Sequence, residues 1–174
     1  MTTPCRCLFL PFLVELLACP SLGLLPIDSE QITVGGLSCD MLQGAMVYYP
    51  TGGGKYPLLS FAHGFTEGGF LVGTNYKDVL ETVAAAGYIV IAEESGLSTL
   101  CFAAEKRDQL RAIDYVKASP DLSAKVDWKA GVGLYGHSMG GGATGLNVAD
   151  QAAVQAYNVG AAVCLHPASV CGLL

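Results

Sequence analysis

A chain of 174 residues is long enough to close one domain around a sizeable core and too short for two. Hydrophobic residues make up 52% and charged residues 14%, well under the roughly 25% of an ordinary globular domain, which fits strands buried on both faces. A net charge of −6 with no run of Lys or Arg excludes an electrostatic grip on nucleic acid, and 22 glycines without a repeat exclude collagen-like and low-complexity chains.

The first 23 residues read as a signal peptide, leaving one domain over residues 24–174. Arg6 supplies a short positive start, and Leu8 to Ala18 is mostly apolar. Ser21 and Gly23 are small residues placed like the −3 and −1 positions of a signal-peptidase site. With Glu15 and two prolines between Leu8 and Leu25, no stable membrane span is expected there. The chain is therefore expected to be secreted or to enter the secretory pathway. Losing that leader would remove Cys5, Cys7 and Cys19. Cys39, Cys101, Cys164 and Cys171 would remain, an even number with three possible pairings. Cys164, inside an apolar run, reads equally well as a small buried hydrophobe. None has the CxxC spacing of a zinc site.

Ala45 to Tyr49 reads as a strand, closed by Pro50 and the turn Gly52-Gly53-Gly54. Pro57 to Ala62 suits a short buried strand. From Tyr76 to Ala86 the spacing of Val79, Leu80, Val83 and Ala84 makes one helical face, which Gly87 ends. Tyr88 to Ala92 is again a buried strand. Phe102 to Ala118 reads as a helix with Leu110, Ile113 and Val116 inward, and Ser119-Pro120 stops it. Gly131 to Gly136 is a strand, Met139 to about Ala156 a helix, and Gly160 to Leu165 a last strand. Strands alternating with helices imply an α/β fold, a parallel sheet with helices on both faces joined by right-handed crossovers.

Gly136-His137-Ser138-Met139-Gly140 fits G-x-S-x-G. Five residues alone are a weak pattern, but these lie between a buried strand and a helix, the setting that a nucleophile elbow requires. Ser138 must take a strained backbone at a very tight turn, and Gly136 and Gly140 remove side chains that would collide there. The helix that follows aims free N–H groups at the serine and at any oxyanion beside it. Of the two N–H donors an oxyanion hole needs, one belongs to the residue after the nucleophile, Met139. The other comes from the loop after an earlier strand, Ala62-His63-Gly64-Phe65, where Phe65 is the candidate. His63 reads as orienting that loop, not as a general base.

Two other patterns fail on context. Gly131-Val132-Gly133-Leu134-Tyr135-Gly136 matches GxGxxG but occupies a strand instead of following one. Gly52-Gly53-Gly54-Lys55 is followed by Tyr56, where a phosphate loop needs Ser or Thr for magnesium.

The run Tyr56-Pro57-Leu58-Leu59-Ser60-Phe61-Ala62-His63-Gly64-Phe65-Thr66 resembles the oxyanion-loop region of bacterial cutinases and polyester hydrolases, of chlorophyllases and of the dienelactone-hydrolase-like group. Arg107-Asp108-Gln109-Leu110, Ala112-Ile113-Asp114-Tyr115, Val126-Asp127 and Gly136 to Gly142 resemble the stretch leading into their nucleophile. The likeness covers about Gln43 to Pro167. It implies an α/β-hydrolase fold, a carboxylic-ester hydrolase with Ser138 as nucleophile, and Phe65 and Met139 as oxyanion donors. It further implies a Phe65 ring lining the acyl cleft, a small or polymeric ester as substrate, and no metal or organic cofactor.

In these enzymes the acid and base both follow the nucleophile, in the order Ser, Asp, His. Here the sequence stops at Leu174, just past what reads as the sixth strand, so the last strands are expected to be missing. No catalytic acid or base is identified. His137 adjoins the serine and should point away from it, His63 precedes it, and His166 reads as capping a strand end, the one conceivable stand-in for the base. Glu93 and Glu94 end another strand at the same sheet edge without a histidine to orient. Losing the base of a serine hydrolase costs roughly 10⁶-fold, so this polypeptide alone is expected to be close to inactive. Two alternatives stand beside the esterase. One is a non-catalytic relative or fragment that binds hydrophobic ligands or partners; the other is an acyltransferase, thioesterase or lipase on the same elbow. The sequence leaves oligomeric state open.

Overall fold

The computed structural model describes residues 23–33, 44–65, 71–94 and 102–168. Nearly all of the expected leader, together with Cys39, Cys101 and Cys171, lies outside them; Cys164 is half-buried in the last described strand.

Six strands make one sheet: β1 (Ile27–Ile32), β2 (Ala45–Pro50), β3 (Leu58–Ala62), β4 (Ile89–Glu93), β5 (Val132–His137) and β6 (Val159–Leu165), in the order β1-β2-β4-β3-β5-β6. β4, β3, β5 and β6 run parallel, whereas β1 pairs antiparallel with β2 and β2 antiparallel with β4. The fold is α/β with a mostly parallel sheet, so the expected parallel arrangement holds for four strands and fails for the first two. The sequence reading missed β1 for a physical reason. Only the terminal isoleucines of Ile27-Asp28-Ser29-Glu30-Gln31-Ile32 are apolar and none of the six is buried, so ladder bonds to β2 hold this edge strand instead of packing.

Six helices cover the sheet: α1 (Val72–Asn75), α2 (Lys77–Ala85), α3 (Phe102–Ala118), α4 (Pro120–Lys125), α5 (Met139–Ala149) and α6 (Gln151–Tyr157). The period-2 alternation of the central strands divides their side chains between two cores. Leu58, Ile89, Ile91, Val132 and Leu134 meet Ala112, Ile113 and Val116 of α3 and Leu122 of α4. Phe61, Val90, Ala92 and Tyr135 meet Val72, Tyr76, Leu80 and Ala84 on the other face. Each fully buried Leu, Ile or Phe contributes roughly 1.5–3 kcal/mol. Val79, expected on the inner face of α2, is 44% exposed; the buried stripe runs Tyr76, Leu80, Ala84 instead.

Two helix boundaries differ from expectation. Pro120 does end α3, but Ser119 also opens α4: its hydroxyl accepts from the Leu122 N–H, and Pro120 takes the first helical position, where a missing N–H costs nothing. The single helix expected from Met139 to Ala156 breaks at Asp150, whose extended backbone and carboxylate cap α6 through the N–H groups of Ala152 and Ala153. No helix among the described residues is long and apolar enough to cross a membrane.

Candidate active site

β5 passes into α5 through one residue. Ser138 has φ 51° and ψ −111°, a conformation that side-chain-bearing residues rarely adopt. Its neighbours impose that strain. The Ser138 N–H donates to the Leu165 carbonyl at 2.8 Å, and its own carbonyl accepts from Gly142 at 3.0 Å and Ala168 at 2.8 Å. The turn is thus gripped by the end of β6 on one side and by the first turn of α5 on the other. The side chain is not used as a helix cap, and the residue is half-buried.

The flanking glycines are there because nothing larger fits. A Cβ on Gly136 would land on the Gly140 carbonyl and the Thr144 hydroxyl, and one on Gly140 would land on the carbonyls of Ala62 and His63. Gly141 faces backbone of Leu165, Pro167 and Gly136 at contact distance, so the small run Gly140-Gly141-Gly142 lets α5 start against the sheet.

The loop after β3 is fastened to this elbow by backbone. The Gly140 N–H donates to the His63 carbonyl at 2.9 Å, which sets Phe65, two residues on from His63, against the helix start that contains Met139. Gly140 and Gly142 are taken by the carbonyls of His63 and Ser138, while the first N–H groups of any helix have no partner within it. Met139 is buried at the first helical position, and the Phe65 ring is 51% exposed.

The three histidines go to three different places. Nδ1 of His137 lies 2.8 Å from the Tyr76 hydroxyl, which also accepts from the Gly64 N–H at 2.9 Å. His63 is buried with Nδ1 2.8 Å from the Gly64 carbonyl, the loop-orienting place expected for it. His166 is exposed just past β6 with φ 43°. Among the described residues, the hydrogen bonds of Ser138 are those of its backbone.

One expectation needs correction. Glu93 was read as an acid without a histidine, yet its Oε1 stands 3.8 Å from Nε2 of His63, both fully buried. Glu105, in the first turn of α3, joins them with Oε1 3.9 Å from Nδ1 of the same ring. Burial, with Glu93 and Asp108 alongside, pushes the Glu105 carboxyl far above the usual range. Glu94, accepting from Gln31 at 3.1 Å, is raised by burial and partly relieved by that bond and by His63. No spacing in the sequence brings residues 63, 93 and 105 together; the order of β3 and β4 in the sheet does.

Beneath the elbow, Gln109 of α3 is buried and saturated. Its amide nitrogen donates to the Thr144 hydroxyl at 2.8 Å and to the carbonyls of Ser60 and Tyr135 at 3.2 Å, and its oxygen accepts from Asn147 at 2.9 Å. Ser60 returns a bond to the Gln109 carbonyl at 2.6 Å. This network joins β3, β5, α3 and α5, the elements that carry the oxyanion loop and the serine.

The arrangement presents a strained serine at a strand–helix junction, amide hydrogens at a helix start, and a second backbone loop bonded to that start. Such a place can accept negative charge as it develops on a carbonyl oxygen. Residues 22–172 match the model of the Chlorophyllase family.

Proposed function

The chain belongs to the Chlorophyllase family, an esterase-like group of α/β-hydrolase type, and from that premise we propose that it is a serine carboxylic-ester hydrolase acting through Ser138. The observation that carries the reading is the backbone of Ser138, φ 51° and ψ −111°, held between β6 and the first turn of α5. Strain of about 1–3 kcal/mol persists only where the surroundings enforce it, and here it lifts one hydroxyl out of the helix-capping role a serine would otherwise take.

In this reading the Ser138 oxygen bonds to the ester carbonyl carbon and the carbonyl oxygen becomes an oxyanion. The N–H groups of Met139 and Phe65 receive that charge, and loss of either donor costs about 10²- to 10³-fold. The C–O bond to the alcohol then breaks, the acyl group stays on Ser138, and water releases it as the acid. The half-exposed ring of Phe65 lines the acyl side of the cleft, and the substrate is a small or polymeric ester. The residues that take and return the serine proton stay unassigned. A leader over residues 1–23 would place the protein in the secretory pathway, which N-terminal sequencing of the mature protein checks.

Fluorophosphonate labelling tests the assignment. In the longest product of the gene the probe should attach to the peptide containing Ser138, and Ser138→Ala should abolish labelling together with hydrolysis of a simple aryl ester. An unlabelled Ser138 in a folded protein would favour a non-catalytic relative that binds hydrophobic ligands.

A further inference from the structure

A buried cluster at the carboxyl ends of β3 and β4 takes no part in the ester chemistry above. One ring nitrogen of His63 and one oxygen each from Glu93 and Glu105 lie within 4.8 Å of one another, all at 0–2% exposure. Nδ1 of His63 is 2.8 Å from the Gly64 carbonyl, which can only accept, so Nδ1 carries the ring proton. Nε2 then presents its lone pair, 3.8 Å from Oε1 of Glu93. Both oxygens of Glu105 are buried with no hydrogen-bond partner among the described residues. An ionised carboxylate in that state is costly, and a second one beside it makes the cost larger.

We propose that Nε2 of His63 and the carboxylates of Glu93 and Glu105 form a structural site for one divalent cation of the Zn²⁺ or Mn²⁺ type. Two carboxylates balance two positive charges. An imidazole nitrogen in the donor set favours borderline transition cations over Ca²⁺ and Mg²⁺, which take oxygen. The Nδ1–H bond to a backbone carbonyl is the support that metal-bound histidines usually have, since it fixes the tautomer and aims the ring. Full burial is the mark of a structural site, not a catalytic one. A cation about 2.0–2.2 Å from each donor holds them about 3.3 Å apart in a tetrahedron, so loading draws the 3.8 Å pair in by a few tenths of an ångström. Bound there, the cation ties the ends of β3 and β4 to the first turn of α3 and stiffens the loop that carries Phe65.

Calorimetric titration of the EDTA-treated full chain with Zn²⁺ and with Mn²⁺ decides the matter. Ca²⁺ and Mg²⁺ serve as hard-cation comparisons, and thermal unfolding is followed in parallel. One equivalent of Zn²⁺ or Mn²⁺ should bind and raise the unfolding midpoint. Glu105→Gln should weaken that binding by about 100-fold or more, while Asp150→Asn, which removes an exposed carboxylate elsewhere, leaves it unchanged. NMR of the unmutated chain supplies a readout that does not depend on a variant folding: of the three histidine rings, the one that shifts at the first equivalent should be His63. The proposal is overturned by the absence of saturable binding, by binding that survives Glu105→Gln, by equal affinity for Ca²⁺, or by a shift at the exposed His166 instead.

Discussion

Nδ1 of His137 lies 2.8 Å from the hydroxyl of Tyr76, so the histidine beside the serine faces the α1–α2 segment and the oxyanion loop. The same hydroxyl takes the Gly64 N–H at 2.9 Å, and one tyrosine therefore couples the elbow to the loop that carries Phe65. Tyr76→Phe keeps the ring, with its edge contact to Phe61, and removes only the hydroxyl. Leaving a buried amide and an imidazole nitrogen without that partner should cost about 1–3 kcal/mol in urea unfolding. Because the loop loosens, acylation should slow while the apparent affinity for a short ester changes little. Equal losses in Tyr76→Phe and in a distant surface variant would remove the coupling.

The glycines of the elbow and of its helix should respond in opposite directions to the same substitution. Gly136→Ala and Gly140→Ala place a methyl group on backbone carbonyls that cannot move without dismantling the turn, and each should lose about 3 kcal/mol or more. Gly145, in the middle of α5, has open space around its missing Cβ. Gly145→Ala should gain about 0.5–1 kcal/mol from helix propensity alone. Thermal unfolding of the three variants checks the contrast, and a stable Gly140→Ala protein would mean the elbow is looser than its geometry says.

Gln109 is the residue whose loss should reach furthest. Gln109→Leu is close in volume but strands the Thr144 hydroxyl, the Asn147 amide and two strand carbonyls. With buried unsatisfied groups costing about 1–3 kcal/mol each, the variant should be destabilised by at least about 3 kcal/mol. Its surviving folded fraction should label more slowly at Ser138, because β3, β5 and α5 share this fastening. A Leu variant of native stability would show that the network is replaceable by packing.

Gln109 also shows where sequence reading stops. The strands β3, β4 and β5, the elbow and its two glycines were legible because each is a local pattern: an apolar run, a turn, a small-residue spacing. Helix α3 was legible by period, yet the period marks Leu110, Ile113 and Val116 as inward and says nothing of a glutamine directed at three other elements. β1 was invisible because edge pairing asks little of its side chains. His63, Glu93 and Glu105 carry no mutual spacing, since their meeting depends on β4 lying beside β3 in the sheet. The break at Asp150 was readable in principle. Asp is a strong helix opener, and the two N–H groups it accepts lie two and three residues on.

That aspartate gives the clearest pH dependence. The Asp150 carboxyl is held below its ordinary value of 3.8, first by the Ala153 N–H and then by Lys106, whose Nζ lies 3.3 Å away. A folded value lower than the unfolded one means the unfolded chain binds the proton more readily. The stabilisation is therefore fully present above the unfolded value and is lost as pH falls through it toward the lower folded value. Asp150→Asn keeps an oxygen to cap α6 but cannot titrate, so it should lack this acid-limb loss, and wild type and variant should converge as pH drops below about 4. Asp150→Ala should be the least stable of the three at neutral pH, since it also gives up the cap. The charged part of the effect should shrink in high salt because the pair is exposed to solvent. Urea midpoints for the three proteins across this range measure it, and parallel curves for Asp and Asn would show that the cap acts through geometry alone.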